Sequence, residues 1–487
     1  MGKDSLPIYQ ALMRYRKQGK VRMHMPGHKR GIGLPHHLPS YWHDIAALDV
    51  TEIPNVDDLY QPSGVIQKSQ QALADLYGAE DSYYLINGAS VGLMAALLAM
   101  APAAGSAKRR VLLPRRAHRS LWHGCILADL WPVTAEEKVD PATGLVLPPE
   151  TEALALAIQS NPDLCGVVLL HPDYYGLCGN VEAAIALCHQ HGLPVLVDEA
   201  HGTHLRFLPN PIPDGLQCGA DIVVQSPHKT SSSLTQTAWM HRQGTRITAD
   251  RLHASLRLLH SSSPSYVFLA SLEAACNQLA TTGEAVYREV VEARQDVVEI
   301  WESKYPSSVL SMKHFDAPCP VTAVDSCKIY IMTSSLNTTG YALADAFRAE
   351  GVEPEMASAE GVLFLFGPGD GGMQRQLACE RFASLVLQPA SGPATSTGAV
   401  AFPVLQRSLS PRDAWMLPSQ SVALEEASSC IAAETITPYP PGIPLVTPGE
   451  RLSCEVIDII SRLLDLGAHV AGVDVPSRRV KVVMSDA

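Results

Sequence analysis

Two short stretches hold most of the groups that can do chemistry. Asp198-Glu199-Ala200-His201 follows the apolar run Pro194–Val197, and Ser226-Pro227-His228-Lys229 follows Asp221-Ile222-Val223-Val224-Gln225. Each run is short, β-branched and bounded by polar residues, which predicts two buried strands. Asp198 and Lys229 then stand at the C-terminal ends of those strands, the edge where open α/β sheets bind ligands. A lysine amine can form a Schiff base with an aldehyde, and a buried carboxylate can keep a pyridine nitrogen protonated. The pair is therefore expected to hold pyridoxal phosphate, with Lys229 as the Schiff-base amine and Asp198 on the ring nitrogen.

Other residues offer further chemistry. Asn87-Gly88-Ala89-Ser90-Val91-Gly92 lies between a predicted strand and a predicted helix. A glycine-rich turn opening a helix presents N–H groups to an anion such as phosphate. The same residues read G-x-S-x-G, the nucleophile elbow of a hydrolase, and Ser90, Asp198 and His228 follow in triad order. A plain structural turn is a third reading, and all three stand open on the motif alone. His118, in Arg115–Ser120, can stack on a planar ring or simply cap the next helix. Asp198, His201 and His204 form D-x-x-H-x-x-H, a spacing that can bind zinc or iron. That reading leaves Lys229 and the glycine turn without a task. Ser226 and His228 can contact phosphate while Lys229 reaches an aldehyde carbon.

These residues need a scaffold to position them. Leu6, Tyr9, Leu12 and Met13 predict a short amphipathic helix, followed by a His24–Gly31 loop. Helices are expected at 65–78, Val91–Met100, Arg119–Ala128, Glu150–Gln159 and Val181–His189. Strands are expected at Ser82–Ile86, Val111–Leu113 and Val167–Leu170. This alternation implies a mostly parallel sheet covered on both faces. Leu269–Tyr305 reads as one long helix or two broken ones. A composition change at Pro306–Asp325 precedes strand-like Lys328–Met332 and Val362–Phe366, which flank a helix near Tyr341–Ala349. That pattern suits a smaller C-terminal α+β domain. Pro389–Val400 reads as a linker by composition, and Cys454–Leu466 as an amphipathic helix. The expected division is an N-terminal helix and loop over 1–48, a large domain over 49–305 and a smaller one over 306–487.

Bulk properties set limits. The 487 residues allow about three domains and a large core. A net charge of -12, with no basic stripe, argues against nucleic acid as a partner. The 11 cysteines are odd in number and form no C-x-x-C, which predicts reduced thiols. No apolar run reaches membrane-spanning length, and Met1–Leu6 lacks a signal-peptide core. A cytoplasmic protein with a small-molecule ligand is the expectation.

Taken together, the motifs resemble those of the pyridoxal-phosphate-dependent ornithine/lysine/arginine decarboxylase family, of the aspartate-aminotransferase-like fold (fold type I). The likeness covers most of the chain. It runs through His24–Gly31 (HMPGHKRG), Asp49–Gly64, Leu76–Gly92, Val111–Gly124, Asp198–His201 and Ser226–Lys229. Ser263–Tyr266, Ser410–Glu426 and Pro438–Glu450 continue it. The chain is similar to the short form, with no wing domain ahead of HMPGHKRG. The resemblance implies that Lys229 carries the Schiff base, Asp198 pairs with the pyridine nitrogen and His118 stacks on the ring. It also implies that Ala89, Ser90, Ser226 and His228 hold the phosphate. Ala200 and His201 would line the ring, His201 near its hydroxyl or the substrate carboxylate. A homodimer with active sites at the subunit interface is implied too, with Pro440–Glu450 at the substrate entrance. Departures are Ala89 in place of a hydroxyl residue, Arg119 for lysine, His171 in its turn, and Ser428-Ser429-Cys430 for a Val-Gly-Arg-like segment.

The implied reaction is decarboxylation of arginine, lysine or ornithine to the amine and carbon dioxide. Its rivals are another fold type I reaction, an aminotransferase or lyase, and a serine or metal hydrolase. An aminotransferase needs an arginine clamp for the α-carboxylate, and the sequence places none. Asp173, Glu434 and Glu450 are the candidates for the distal cation of the substrate, unranked by sequence.

Overall fold

A computed structural model of the chain describes residues 6–18, 20–103, 105–387, 403–439, 442–465 and 467–484. The Pro389–Val400 stretch lies outside them, as do Pro440 and Pro441.

Eight strands organise the large part of the molecule. They are β1 (Asp81–Leu85), β2 (Arg110–Leu112), β3 (Trp131–Val133), β4 (Leu164–Leu170), β5 (Leu177–Gly179), β6 (Val195–Glu199), β7 (Ile222–Gln225) and β8 (Ala238–Arg242). All but β5 form one seven-stranded sheet, ordered β1-β8-β7-β6-β4-β2-β3. The β3-β2-β4-β6-β7 run is parallel, while β8 is antiparallel to both β7 and β1. Every residue of β6 and β7 is buried, as expected of strands covered by helices on both faces. Core residues divide between the two faces. Val195, Val197 and Val223 pack on one side, and Leu196, Ile222 and Val224 on the other.

The helices fall close to the predicted positions. Val65–Tyr77 ends on Gly78, which takes the left-handed conformation (φ +70°) that closes a helix at low cost. Gly88–Met100 begins three residues before the predicted Val91. The long segment is a single helix, Tyr266–Glu302, started by Ser265 Oγ accepting the Phe268 N–H. At the N-terminus a helix forms over Pro7–Lys17, but its buried face is Ile8, Ala11 and Leu12. Tyr9 points outward, because burial against the long helix selects a face one residue removed from the predicted one.

The smaller sheet uses β9 (Val321–Val324), β10 (Lys328–Met332), β11 (Met356–Ala357) and β12 (Gly361–Leu365). β10, β12 and β11 are antiparallel neighbours, and β9 pairs with β5 of the large part. Residues 424–482 have an apolar core of their own, into which the helix Cys454–Asp465 turns Val456, Ile457, Ile459 and Ile460.

Candidate active site

β6 and β7 run side by side in parallel, with Asp198 opposite Val224 and Glu199 opposite Gln225. Both chains therefore leave the sheet at the same edge. Side chains alternate across a strand, so the two carboxylates of the Asp-Glu pair part company. Glu199 turns away from the cleft and is held by Gln225 Nε2 and the Gly215 N–H, each at 2.6 Å. Asp198 faces the cleft, where its Oδ1 accepts the Ala200 N–H at 3.2 Å. It is 2% exposed, and burial pushes its carboxyl up against the opposing pull of the Lys229 charge.

Ser226 opens a single helical turn, Pro227–Thr230, which carries Lys229 over the strand ends. Lys229 Nζ lies 3.1 Å from His201 Nε2. Burial lowers the Lys229 ammonium below the ordinary lysine value, with Asp198 opposing the shift. Burial likewise pushes His201 well down, and Lys229 and Lys328 add to the shift. A neutral imidazole beside an amine of lowered basicity can pass a proton in either direction.

At the other end of the cleft the helix Gly88–Met100 points its N-terminus inward, with Ala89 and Ser90 in its first turn. Gly88 has φ +77°, a value that sets the turn and favours glycine. Gly92 allows close packing, since a Cβ there would sit 2.6 Å from Leu85 Cδ1. His228 Nδ1 is fixed by the Thr237 carbonyl at 2.6 Å. Ser226 Oγ is buried with no hydrogen-bond partner. A phosphate group at this place would satisfy the hydroxyl and the free helix N–H groups together. The residues present therefore fit a phosphate-bearing cofactor. His118 caps the helix Arg119–Ala128, its Nδ1 accepting the Ser120 N–H at 3.3 Å. Burial pushes it down to about 3, so the ring face it offers is neutral.

Every predicted site residue, Ala89, Ser90, His118, Asp198, Ala200, His201, Ser226, His228 and Lys229, lines one cleft of about 1270 Å³. Several other expectations change. His228 bonds Thr237, and no hydrogen bond joins it to Ser90 among the described residues, so the triad order is not a triad. The D-x-x-H-x-x-H residues diverge as well. His201 turns to Lys229, whereas buried His204 turns to Asp325 at 2.9 Å. None of the three distal-cation candidates lines the cleft. Asp173 is bound by Arg116 Nη1 at 2.6 Å, Glu434 by Lys481 at 2.6 Å, and Glu450 by Arg407 and the Thr447 N–H. Each already has a cationic partner.

Residues that sequence reasoning missed come from the smaller sheet and from the turn after β4. Glu355 reaches into the cleft and accepts the Tyr174 hydroxyl, and the Tyr174 ring meets His201 edge-on at 4.8 Å. Behind them, buried Lys328 donates to the carbonyls of Asp173 at 3.2 Å and Tyr174 at 2.9 Å. A charged residue inside the apolar strand Lys328-Ile329-Tyr330-Ile331-Met332 is the one sequence signal for this layer.

Comparison with known proteins identifies the family. A family model described as "Orn/Lys/Arg decarboxylase, major domain" matches residues 6–374, and one for the C-terminal domain of the same family matches 405–475. An arginine decarboxylase of Bacillus subtilis (strain 168) is 29% identical over 97% of this chain and 96% of its own length. An arginine decarboxylase of Bacillus anthracis is 28% identical over 96% of this chain and 94% of its own. Among solved structures, the constitutive lysine decarboxylase of E. coli aligns with a TM-score of 0.79 at 20% identity, covering 99% of this chain and 82% of that one. That likeness shows the shared fold, a fold type I sheet with a small C-terminal domain. With both family models matched in order along its length, the chain belongs to the Orn/Lys/Arg decarboxylase family.

Proposed function

We propose that the protein decarboxylates a basic L-amino acid, arginine, lysine or ornithine, to the corresponding amine and carbon dioxide, with pyridoxal phosphate held by Lys229. The observation that carries this reading is the buried Lys229 amine placed against His201 at 3.1 Å in the cleft that Asp198 lines. When bound, pyridoxal phosphate supplies an electron sink for the bond pair left by departing carbon dioxide.

The chain's own groups divide the remaining work. Asp198 offers a buried anion to a protonated ring nitrogen. His118 offers a neutral face to the ring. Ala89, Ser90, Ser226 and His228, with the helix N-terminus, receive the phosphate. Ala200 lines the same cleft as His118 and would help to hold the ring. Lys229, with its lowered basicity, offers the amine that would hold the cofactor's aldehyde carbon. Lys229 or His201, in contact at 3.1 Å, would return a proton to the substrate Cα. Leu93, Leu145 and Leu170 line the cleft and exclude water, which favours loss of neutral carbon dioxide. Carbon dioxide release from the three basic amino acids, measured against keto-acid formation, tests the reading. Keto acid as the main product would favour transamination instead.

The reading extends to the assembly. Val21, Met23 and Ile32 around the HMPGHKRG loop are 82–88% exposed. Large apolar side chains left exposed along one segment suit cover by a second copy, so a homodimer is part of the proposal. No helix among the described residues is long and apolar enough to cross a membrane. A cytoplasmic location goes with the free thiols, which include five buried cysteines. The division at residues 48 and 305 is part of the same reading, supported by the long helix that ends at Glu302.

A further inference from the structure

The turn between β9 and β10 reaches into the large part of the molecule and meets the residues behind Lys229. Asp325 stands in that turn, and its Oδ1 lies 2.9 Å from His204 Nε2. Both side chains are fully buried. An ionised carboxylate only accepts, so Nε2 of His204 carries the proton of this bond. Against burial, which would raise it, His204 and Lys328 hold the Asp325 carboxyl below its ordinary value. The backbone fixes Asp325 from two further sides. Its Oδ1 also accepts the Cys327 N–H at 2.9 Å, and its own N–H donates to the Gly176 carbonyl at 2.9 Å. Gly176 allows this close approach, since a Cβ there would lie 3.0 Å from Asp325 Cβ.

His204 passes this hold to the long helix Tyr266–Glu302. Its ring packs against the Tyr287 ring at 5.4 Å between centroids, tilted by 31°, within the range of aromatic contact. Tyr287 is fully buried, and its hydroxyl donates to the Thr230 carbonyl. Thr230 follows Lys229 and ends the single helical turn that carries it. One turn of helix has little stability of its own, so its place depends on groups outside it. The Thr237 carbonyl holds His228 within the turn, and Tyr287 holds its far end. The series Asp325, His204, Tyr287, Thr230 thus joins the smaller sheet to the backbone beside Lys229.

The same turn reaches the other half of the Lys229–His201 contact. Lys328, the first residue of β10, grips the carbonyls of Asp173 and Tyr174, and Tyr174 packs on His201. We propose that Asp325 and His204 are positioning residues for Lys229. Through the Tyr287 ring they lock the Lys229 turn, so that its amine stays at His201. Asp325, His204 and Tyr287 do not line the cleft, so they act on the chemistry only through the Thr230 backbone. This rests on the reading of Lys229 given above.

The test compares the holoenzyme with Tyr287→Phe, Asp325→Asn, the double variant and, as a control, Ser308→Ala. Ser308 Oγ accepts the Trp301 Nε1–H at 2.8 Å near the end of the same long helix, outside the cleft. Its loss removes a buried hydrogen bond without touching the Lys229 turn. The urea midpoint, kcat and KM for carbon dioxide release, and the pH midpoint of the lysine-linked visible band are read for each. Every variant should lose some stability. Tyr287→Phe and Asp325→Asn should lower kcat about 10- to 100-fold, the scale of a displaced reacting group, with KM within about threefold. Both should move the pH midpoint of the band by about half a unit or more, whereas Ser308→Ala should leave kcat and the band in place. The double variant should be no worse than the poorer single one, because both changes cut one series. Tyr287→Phe loses only a hydroxyl and carries the test by itself if Asp325→Asn does not fold. A Tyr287→Phe protein with the kcat and band of Ser308→Ala overturns the positioning role. Losses that multiply in the double variant separate Asp325 from Tyr287 and overturn it too. A wild type with no lysine-linked band overturns the reading of Lys229, and this inference with it.

Discussion

Lys229 Nζ and His201 Nε2 lie 3.1 Å apart, although 28 residues separate them in the chain. The contact exists because β6 and β7 end at one edge and hand over to two turns that face each other. Burial holds His201 well below the ordinary histidine value, so the imidazole is neutral beside the amine. A positioned acid–base group is worth roughly 10²- to 10⁴-fold in rate. His201→Asn should therefore lower kcat by about that factor while the visible absorbance of bound cofactor persists. Steady-state carbon dioxide release and a spectrum of the same sample check both halves. A kcat within about threefold of wild type would reduce His201 to a packing residue.

Lys328 supports that imidazole at one remove. Its buried ammonium grips the carbonyls of Asp173 and Tyr174, and Tyr174 in turn packs on His201. Lys328→Met keeps the stem but strands two buried carbonyl oxygens, each at a cost of about 1–3 kcal/mol. The urea midpoint should fall accordingly, and kcat should fall with it as Tyr174 loses its place. An unchanged midpoint would mean that water or a neighbouring group satisfies the carbonyls.

Acid should weaken the fold through its buried histidines. Burial pushes His241 down to about 3 from an ordinary 6.5, while its ring bonds Ser82 and Gln225 in the neutral form. Between those two values the unfolded chain binds the proton and the folded chain does not. Stability therefore rises with pH across that window and is lost as pH falls from 6.5 toward 3, by at most about 1.4 kcal/mol per pH unit per group. His118, lowered to about 3 by burial, acts in the same direction. Denaturant titrations at pH 7, 6 and 5 should show a declining midpoint, with a shallower decline in His241→Gln. Equal slopes for the two proteins would remove His241 from the acid response.

Much of this site was legible in the sequence because the chemistry sits where local signals are strong. Asp198 and Lys229 each follow an apolar β-branched run, and the Gly88 turn opens an apolar helix. Local pattern therefore located the large-domain half of the cleft. The other half was hidden by chain distance. Tyr174 meets Glu355 from 181 residues away, and nothing near either residue announces the pairing. Asp173 was a fair candidate for the substrate cation by type alone. Arg116, which neutralises it, is 57 residues upstream and invisible to any local reading. Ser90 shows the opposite error, since a motif long enough to suggest a hydrolase lacks the geometry of one.

Everything in this account passes through the Lys229 amine. The most direct measurement is the absorbance spectrum of Lys229→Ala purified with pyridoxal phosphate, before and after borohydride, alongside carbon dioxide release from arginine. The wild type should be yellow, lose its colour irreversibly on reduction and turn over. The variant should show no lysine-linked visible band, take no covalent label from borohydride and release no measurable carbon dioxide. A yellow, reducible Lys229→Ala protein with normal turnover would contradict the assignment of this lysine and the chemistry built on it.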